Sequence, residues 1–110
     1  MVVISSGSAT SIAGNTVSGD QVSGTYQFIN TKGVIALYAK ASATGLFCTM
    51  TIGGIPIIND QAIAFTGTAG TLSKTDHLLV AQAINGGRAE LKFRNSTGSA
   101  VTVDFILDFN

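Results

Sequence analysis

Residue types that form cross-links and reactive sites are scarce in this sequence. It has a single cysteine, Cys48, and a single histidine, His77, among 110 residues. One cysteine excludes a disulfide within the chain and leaves the redox compartment open. Metal sites need several histidines, cysteines or clustered carboxylates at ligand spacing, and the six acidic residues are scattered singly. No glycine-rich phosphate loop opens a helix. The sequence therefore predicts no metal, no cofactor and no catalytic residues.

Charge is also scarce, because charged residues make up 11% of the chain against about 25% in average soluble proteins. Six basic and six acidic side chains give a formal net charge of zero. Such a surface offers little repulsion between copies of the chain, so we expect association with other protein. Nucleic-acid binders carry a basic stripe that neutralises phosphates, so we expect no nucleic-acid partner.

Long apolar runs are missing as well. No stretch approaches the roughly 20 apolar residues of a membrane span. The first six residues have neither a basic flank nor a long apolar run, so we expect no signal peptide. We expect no membrane partner, and synthesis in the cytosol unless processing has already occurred.

Residues 5–24 are almost entirely serine, glycine, threonine, alanine and asparagine, with one charge, Asp20. Within them Ile12, Val17 and Val22 recur at a period of five. One interpretation is a low-complexity arm. The other is an extended arm that lays these three residues onto a neighbouring subunit and orders only on binding. We therefore predict an N-terminal arm over residues 1–24, with these three residues as candidate subunit contacts.

From residue 25 the sequence predicts short strands separated by glycine-containing turns. Residues 46–52 alternate, with Cys48 on the apolar face, which predicts a buried and inert thiol. Gly53-Gly54 predicts a hairpin turn, and Pro56 indicates an edge strand because proline cannot donate to a ladder. The predicted strands cover residues 26–29, 34–40, 46–52, 55–58, 62–65, 78–84, 88–94 and 101–109, with a polar loop at 67–74.

The last three predicted strands share one register. Asn85-Gly86 is a strong hairpin signal between the first two. A meander in this register would align an apolar face and place opposite charges together on the other face. Its pairs would be Val80 with Leu91, Leu91 with Phe105, Phe93 with Val103, Lys92 with Asp104 and Arg88 with Asp108. We predict that this meander is the centre of stability.

No segment predicts a convincing helix. Short strands with glycine-rich turns favour an all-β fold, a single antiparallel β-sandwich over residues 25–110, with jelly-roll topology as the leading choice.

Three polar features could have a chemical role, although each has a simpler explanation. His77 beside Asp76 could form half of a catalytic dyad, but a polar residue where a loop enters a strand is the simpler interpretation. Asn59-Asp60-Gln61 could be a sugar-binding or cation-binding loop, or ordinary turn residues. Asn95-Ser96-Thr97 matches the glycosylation acceptor pattern, which has meaning only on a secretory route.

Three runs resemble small β-sandwich structural proteins of bacteriophage particles: GVIALYAKASATGL at 33–46, TIGGIPIIND at 51–60 and LKFRNSTG at 91–98. The resemblance covers about residues 33–109. It implies a virion component, either a decoration (cement) protein or a minor capsid protein. It further implies a homo-oligomer bound to the major capsid protein, made in the host cytoplasm, with no catalytic residues to carry over.

A second hypothesis is a carbohydrate-binding or receptor-binding β-sandwich module. Such modules usually stack sugars on aromatic platforms, and this chain has no tryptophan and only two tyrosines, Tyr26 and Tyr38. An enzyme is the third hypothesis, which the lack of a reactive cluster disfavours. We expect no small-molecule ligand.

Overall fold

A computed structural model describes residues 2–22, 28–63 and 78–110 of the chain. These residues form nine β-strands and no helix, which confirms the all-β prediction. The strands are β1 (Val2–Ile12), β2 (Thr16–Val17), β3 (Phe28–Ile29), β4 (Gly33–Ala41), β5 (Leu46–Ile52), β6 (Ile55–Ala62), β7 (Leu78–Ile84), β8 (Gly87–Asn95) and β9 (Val101–Phe109).

The strands form two sheets in which every pairing is antiparallel. The first sheet has the order β1-β9-β4-β7. The second has the order β2-β8-β5-β6, and β3 also pairs with β8. Short β2 and β3 thus follow one another along the same edge of β8.

The core lies between the two sheets and is filled by alternate residues of the central strands. In β5 every second residue from Leu46 to Ile52 is buried, and in β9 the same holds from Val101 to Leu107. This period of two is the signature of strands with one face inside. The rings of Phe93 and Phe105, one from each sheet, pack with centroids 5.2 Å apart. Aromatic packing across the interior therefore joins the sheets.

Several local predictions are confirmed. Strands β5 and β7 have the predicted bounds. Gly53 and Gly54 have φ angles of 61° and 82° and connect β5 to β6. Pro56 lies in β6, which ends the second sheet, as its missing donor predicts. Of the predicted strand at 62–65, Ala62 ends β6, and residues 64–65 and the loop at 67–74 lie outside the described residues.

The predicted C-terminal meander is wrong. Strand β7 pairs with β4, β8 pairs with β5, and β9 lies between β1 and β4. Leu91 is therefore opposite Met50 rather than Val80, and Asp104 is opposite Lys40 rather than Lys92. The predicted register did identify residues that face inward. Those of β8 and β9 face each other across the core instead of lying side by side in one sheet.

The turn at residues 85–86 changes sheets instead of closing a hairpin. Gly86 and Gly87 have φ angles of 96° and 130°, which favour glycine. A Cβ at Gly87 would lie 2.8 Å from the backbone of Gly53. The close approach of two backbones lets the chain leave the first sheet at Ile84 and enter the second at Gly87.

The predicted N-terminal arm is not confirmed, because its first half is a strand of the first sheet. Strand β1 pairs with β9 from Val2 opposite Phe109 to Ile12 opposite Val101, with two bulges. Its backbone gains ladder hydrogen bonds from this pairing, and Ile4 and Ile12 enter the core. A polar composition was compatible with a strand because an edge strand needs only occasional apolar side chains on its inner face.

Candidate interaction surfaces

The three predicted subunit-contact residues lie in different environments. Ile12 and Val22 are 3% and 1% exposed and belong to the core of their own chain. Val17 is 60% exposed on β2, opposite Arg94 of β8. Of these three side chains, only that of Val17 is exposed. Residues that recur at a period of five therefore do not share one contact surface.

Residues 18–22 run along β8 as a polar strap. The backbone N–H groups of Ser18 and Gln21 donate to the carbonyl oxygens of Phe93 and Leu91, both at 2.7 Å. In return, Ser18 Oγ accepts a hydrogen bond from Phe93 N at 2.9 Å. Asp20 Oδ1 accepts from Leu91 N and Val22 N, each at 3.0 Å. Side-chain oxygens thus replace backbone acceptors where the edge strand is interrupted between β2 and β3.

The strap was not predicted from the sequence. A signal was available, since serine and aspartate on either side of Gly19 are residue types that form local backbone hydrogen bonds and favour irregular segments. The sequence did not reveal that their acceptors would reach β8, 71 and 75 residues away.

The outer face of the second sheet carries a stacked ion pair. Arg94 Nε and Nη2 donate to the two carboxylate oxygens of Asp60, both at 2.9 Å. The guanidinium carbon lies 4.3 Å from the ring centroid of Phe47. Hydrogen bonding to Arg94 holds the pKa of Asp60 below its usual value, and the same bond raises the pKa of Arg94. Bidentate pairing over an aromatic ring fixes the guanidinium plane.

The predicted Asn59-Asp60-Gln61 loop is wrong, because these residues lie within β6. Both carboxylate oxygens of Asp60 bind Arg94, and its backbone N–H donates to Thr49 Oγ1 at 3.1 Å. Asp60 of β6 thus contacts both β5 and β8 of the second sheet. This arrangement leaves the carboxylate engaged with an arginine rather than arranged as a cation ligand.

The remaining charges of this face lie on β8 and the strap. Arg88 Nη1 donates to Glu90 Oε1 at 2.8 Å, and its Nη2 lies 3.9 Å from Asp20 Oδ2. Lys92 is exposed between them and Arg94. This face holds three acidic and three basic side chains. The acidic ones are Asp20, Asp60 and Glu90, and the basic ones are Arg88, Lys92 and Arg94. It is strongly polar but electrically balanced.

The outer face of the first sheet has a different character. Ile35 and Leu37 of β4 are fully buried in the core, so the residues between and beside them point outward. Cross-strand rows then place Ala81 beside Ala36, and Leu78 and Ile106 beside Tyr38. We call this surface the apolar outer face. Its members are Val3, Val34, Ala36, Tyr38, Leu78, Ala81, Ala83 and Ile106.

Charged residues of the first sheet are largely withdrawn from water. Lys40 and Asp108 are 5% and 2% exposed. Lys40 Nζ lies 3.6 Å from Asp104 Oδ2, whose side chain is 29% exposed. Burial of both a lysine and an aspartate on an outer face means that neighbouring side chains cover their charges. The surface presented to solvent there is close to neutral.

Two of the depressions on the described surface lack the form of a ligand pocket. An apolar groove of about 120 Å³ runs between the edge strands β6 and β7, lined by Ile52, Ile55, Ile57 and Ile84 among others. A wide, shallow depression of about 320 Å³ lies beside β2, between Val17 and Arg94. Ligand sites typically enclose about 300–1,000 Å³ in a deep concavity. The first is too small and the second too open to enclose a small molecule.

The cysteine is buried, as predicted. Cys48 is 0% exposed. Burial, with a smaller effect from the negative charge of Asp60, raises the pKa of its thiol to about 12. A thiol that stays protonated and out of water is a poor nucleophile. The other candidates for chemistry, Asp76 and His77, lie outside the described residues.

Asn95 of the glycosylation triplet has a structural role. It is 1% exposed, and its Nδ2 donates to the carbonyl oxygens of Ile12 and Ser99 at 2.9 and 2.8 Å. Its Oδ1 accepts from both Thr97 N and Thr97 Oγ1. The side-chain amide thus joins the end of β1 to the turn before β9. In the folded chain it is inaccessible to a glycosyl donor.

Within residues 2–22, 28–63 and 78–110, no cluster of three or more potential metal-binding side chains occurs. The same segments contain no helix long and apolar enough to cross a membrane.

Comparison of the chain with protein-family models, curated protein sequences and solved structures finds no match.

Proposed function

We propose that this chain is a non-enzymatic jelly-roll protein of a virus particle. In this proposal it assembles as a homo-oligomer and binds the major capsid protein as a decoration (cement) or minor capsid protein. It is made in the host cytoplasm and resides in the virion. The observation that carries the proposal is the strand order of the two sheets.

That order supports a jelly roll when β2 and β3 are counted as one interrupted strand. The chain then has the topology of one long hairpin whose turn joins β5 to β6. Its two halves pair as β5 with β6, β4 with β7, β2 and β3 with β8, and β1 with β9. The pairs alternate between the sheets, and β4–β9 and β5–β8 contacts join neighbouring pairs into two sheets of four positions. Eight antiparallel strands in two sheets are the architecture of jelly rolls, which recur in viral capsids.

The surfaces support a structural role over a catalytic one. Several charged side chains of the described residues join strands, as in the Arg94–Asp60 pair and the Asp20 contacts with Leu91 and Val22. The low charge of the chain suits association with further protein. The resemblance of residues 33–109 to phage structural proteins indicates the kind of assembly.

The test is quantitative mass spectrometry of virus particles. Particles from cells that produce the chain are purified on a density gradient, and its peptides are quantified against those of the major capsid protein. We expect the chain to co-purify with particles in a constant ratio to the major capsid protein. Recovery of the chain only from particle-free fractions would overturn the virion proposal. Selective binding of the isolated chain to a glycan array, in that case, would support the carbohydrate-binding or receptor-binding alternative.

A further inference from the structure

We propose that the apolar outer face of the first sheet is the contact surface between copies of this chain. The inference rests on the homo-oligomer of the proposed function and assigns it a surface and a partner, namely a second copy of the same chain.

The first observation is the composition of this face. Val3, Val34 and Leu78 are 48%, 42% and 47% exposed, and all three point outward from the first sheet. Ala81 and Ala83 are exposed beside them. Exposed apolar side chains scattered singly are normal, but a continuous patch across neighbouring strands marks an interaction site. Here cross-strand neighbours join β7, β4 and Ile106 of β9, while Val3 of β1 lies opposite Asp108, which is 2% exposed.

The second observation is the segregation of charge between the two outer faces. The second sheet holds Arg88, Glu90 and Lys92 on one strand, all reaching solvent. On the first sheet, Lys40 is turned toward Asp104 and is 5% exposed. Interface cores are depleted in charge, whereas solvent-facing surfaces retain it. The two outer faces therefore differ in exposed charge, while both expose large apolar side chains, those on the second sheet including Val17 and Phe28, each 60% exposed.

The third observation is the size of the face. Four strands at about 4.8 Å spacing give a width of about 19 Å, and nine residues at about 3.3 Å give a length of about 30 Å. The projected area is thus about 570 Å². A standard interface takes about 800 Å² of accessible surface from each partner, and the accessible surface of protruding side chains exceeds their projection. The outer surface of the whole first sheet, of which the apolar outer face is a part, therefore approaches the area of a standard interface.

A second copy is compatible with this face because the face exposes little charge. A surface with one sign of exposed charge would repel its own copy, and closed symmetric assemblies bring the same patch into contact with itself or with its neighbour. The near-neutral face avoids this cost. The zero net charge of the whole chain likewise removes long-range repulsion between copies.

The experiment places a charge on the face, beside Ala36. Ala81→Glu alters an exposed residue of the edge strand β7, so the isolated fold should tolerate it. Ala62→Glu is the matched control, because Ala62 is an exposed residue of the edge strand β6, beside Phe47 on the other outer face. Sedimentation velocity of the full chain over a concentration series gives the dissociation constant of the oligomer, and circular dichroism checks that each variant is folded.

We expect the wild type and Ala62→Glu to form the same oligomer. Ala81→Glu should raise the dissociation constant by at least about 30-fold, as expected for a charge left unpaired in an interface. Ala81→Lys should do the same, because the cost comes from desolvating a charge of either sign. A monomeric wild type at about 100 μM would overturn both the homo-oligomer and this inference. An oligomer that Ala81→Glu and Ala81→Lys leave intact would overturn the inference alone. The mass spectrometry of particles is unaffected by either result.

Discussion

Replacing Asp20 by alanine tests whether the Ser/Gly-rich N-terminal region is part of the fold or only a tether. The carboxylate is largely covered, with a side chain 21% exposed. Its Oδ1 accepts hydrogen bonds from Leu91 N in the central strand β8 and from Val22 N in the strap. Alanine removes the acceptor for both donors. A hydrogen bond to a charged group contributes about 1.5–3 kcal/mol, and a buried donor left unpaired costs about 1–3 kcal/mol.

The two bonds together set the expected size of the effect. We expect Asp20→Ala to lower the free energy of unfolding by about 2–4 kcal/mol, since the strap can partly relax and admit water to Val22 N. Asp20→Asn keeps a side-chain oxygen and should cost less than half as much. Urea unfolding followed by circular dichroism measures both variants, with an unchanged m-value as the check for two-state behaviour. A loss under about 0.5 kcal/mol for Asp20→Ala would refute the role of the strap.

Three further predictions follow from the core and the ion pair. Leu91→Ala should cost about 2–5 kcal/mol in urea unfolding, because Leu91 is fully buried opposite Met50; a loss below about 0.5 kcal/mol would place it outside the core. Cys48 should resist a thiol reagent at neutral pH until the protein unfolds, because its pKa is raised to about 12 by burial; rapid labelling of the folded chain would contradict this. The pKa of Asp60 is lowered in the folded state. The contribution of Asp60 to stability is therefore present above the pKa of the unfolded state, about 3.9, and is lost as the pH falls through the pKa of the folded state. Asp60→Asn should therefore flatten the stability profile below about pH 4, and an unchanged acid limb would argue against the pair.

Local sequence patterns predicted strands well because a strand's own residues determine its alternation. Residues 46–52 alternate between apolar and polar, and the structure buries every second one. Gly53-Gly54 marked its turn because the required positive φ angles are a local property. Such features need no knowledge of the neighbouring strand.

Strand pairing was not predictable in the same way. The register that paired Leu91 with Phe105 satisfied apolar and charge matching, yet these strands belong to different sheets. Alternation determines which side chains point inward, but the same inward residues can face each other across a core or lie side by side in one sheet. Asp104 forms its ion pair with Lys40, and Lys92 carries the same charge as Lys40. Matching of residue types alone therefore could not choose between the two topologies.

The candidate surfaces were partly visible in the sequence. The predicted register already placed Arg88 and Lys92 on a polar strand face, opposite the apolar face of Leu91. The apolar outer face was not visible, because it combines residues from four strands whose order was not known. The Ser18 and Asp20 contacts were hidden for a similar reason, since their partners lie far along the chain.

Strand order is the central claim, because it carries both the jelly-roll proposal and the identity of the two outer faces. The most direct measurement is NMR spectroscopy of the labelled chain, in which nuclear Overhauser effects between backbone protons identify paired antiparallel strands. The strand order of the two sheets predicts contacts of Leu91 with Met50 and of Leu107 with Leu37. Backbone contacts of Leu91 with Val80 and with Phe105 would instead establish the meander and overturn this strand order.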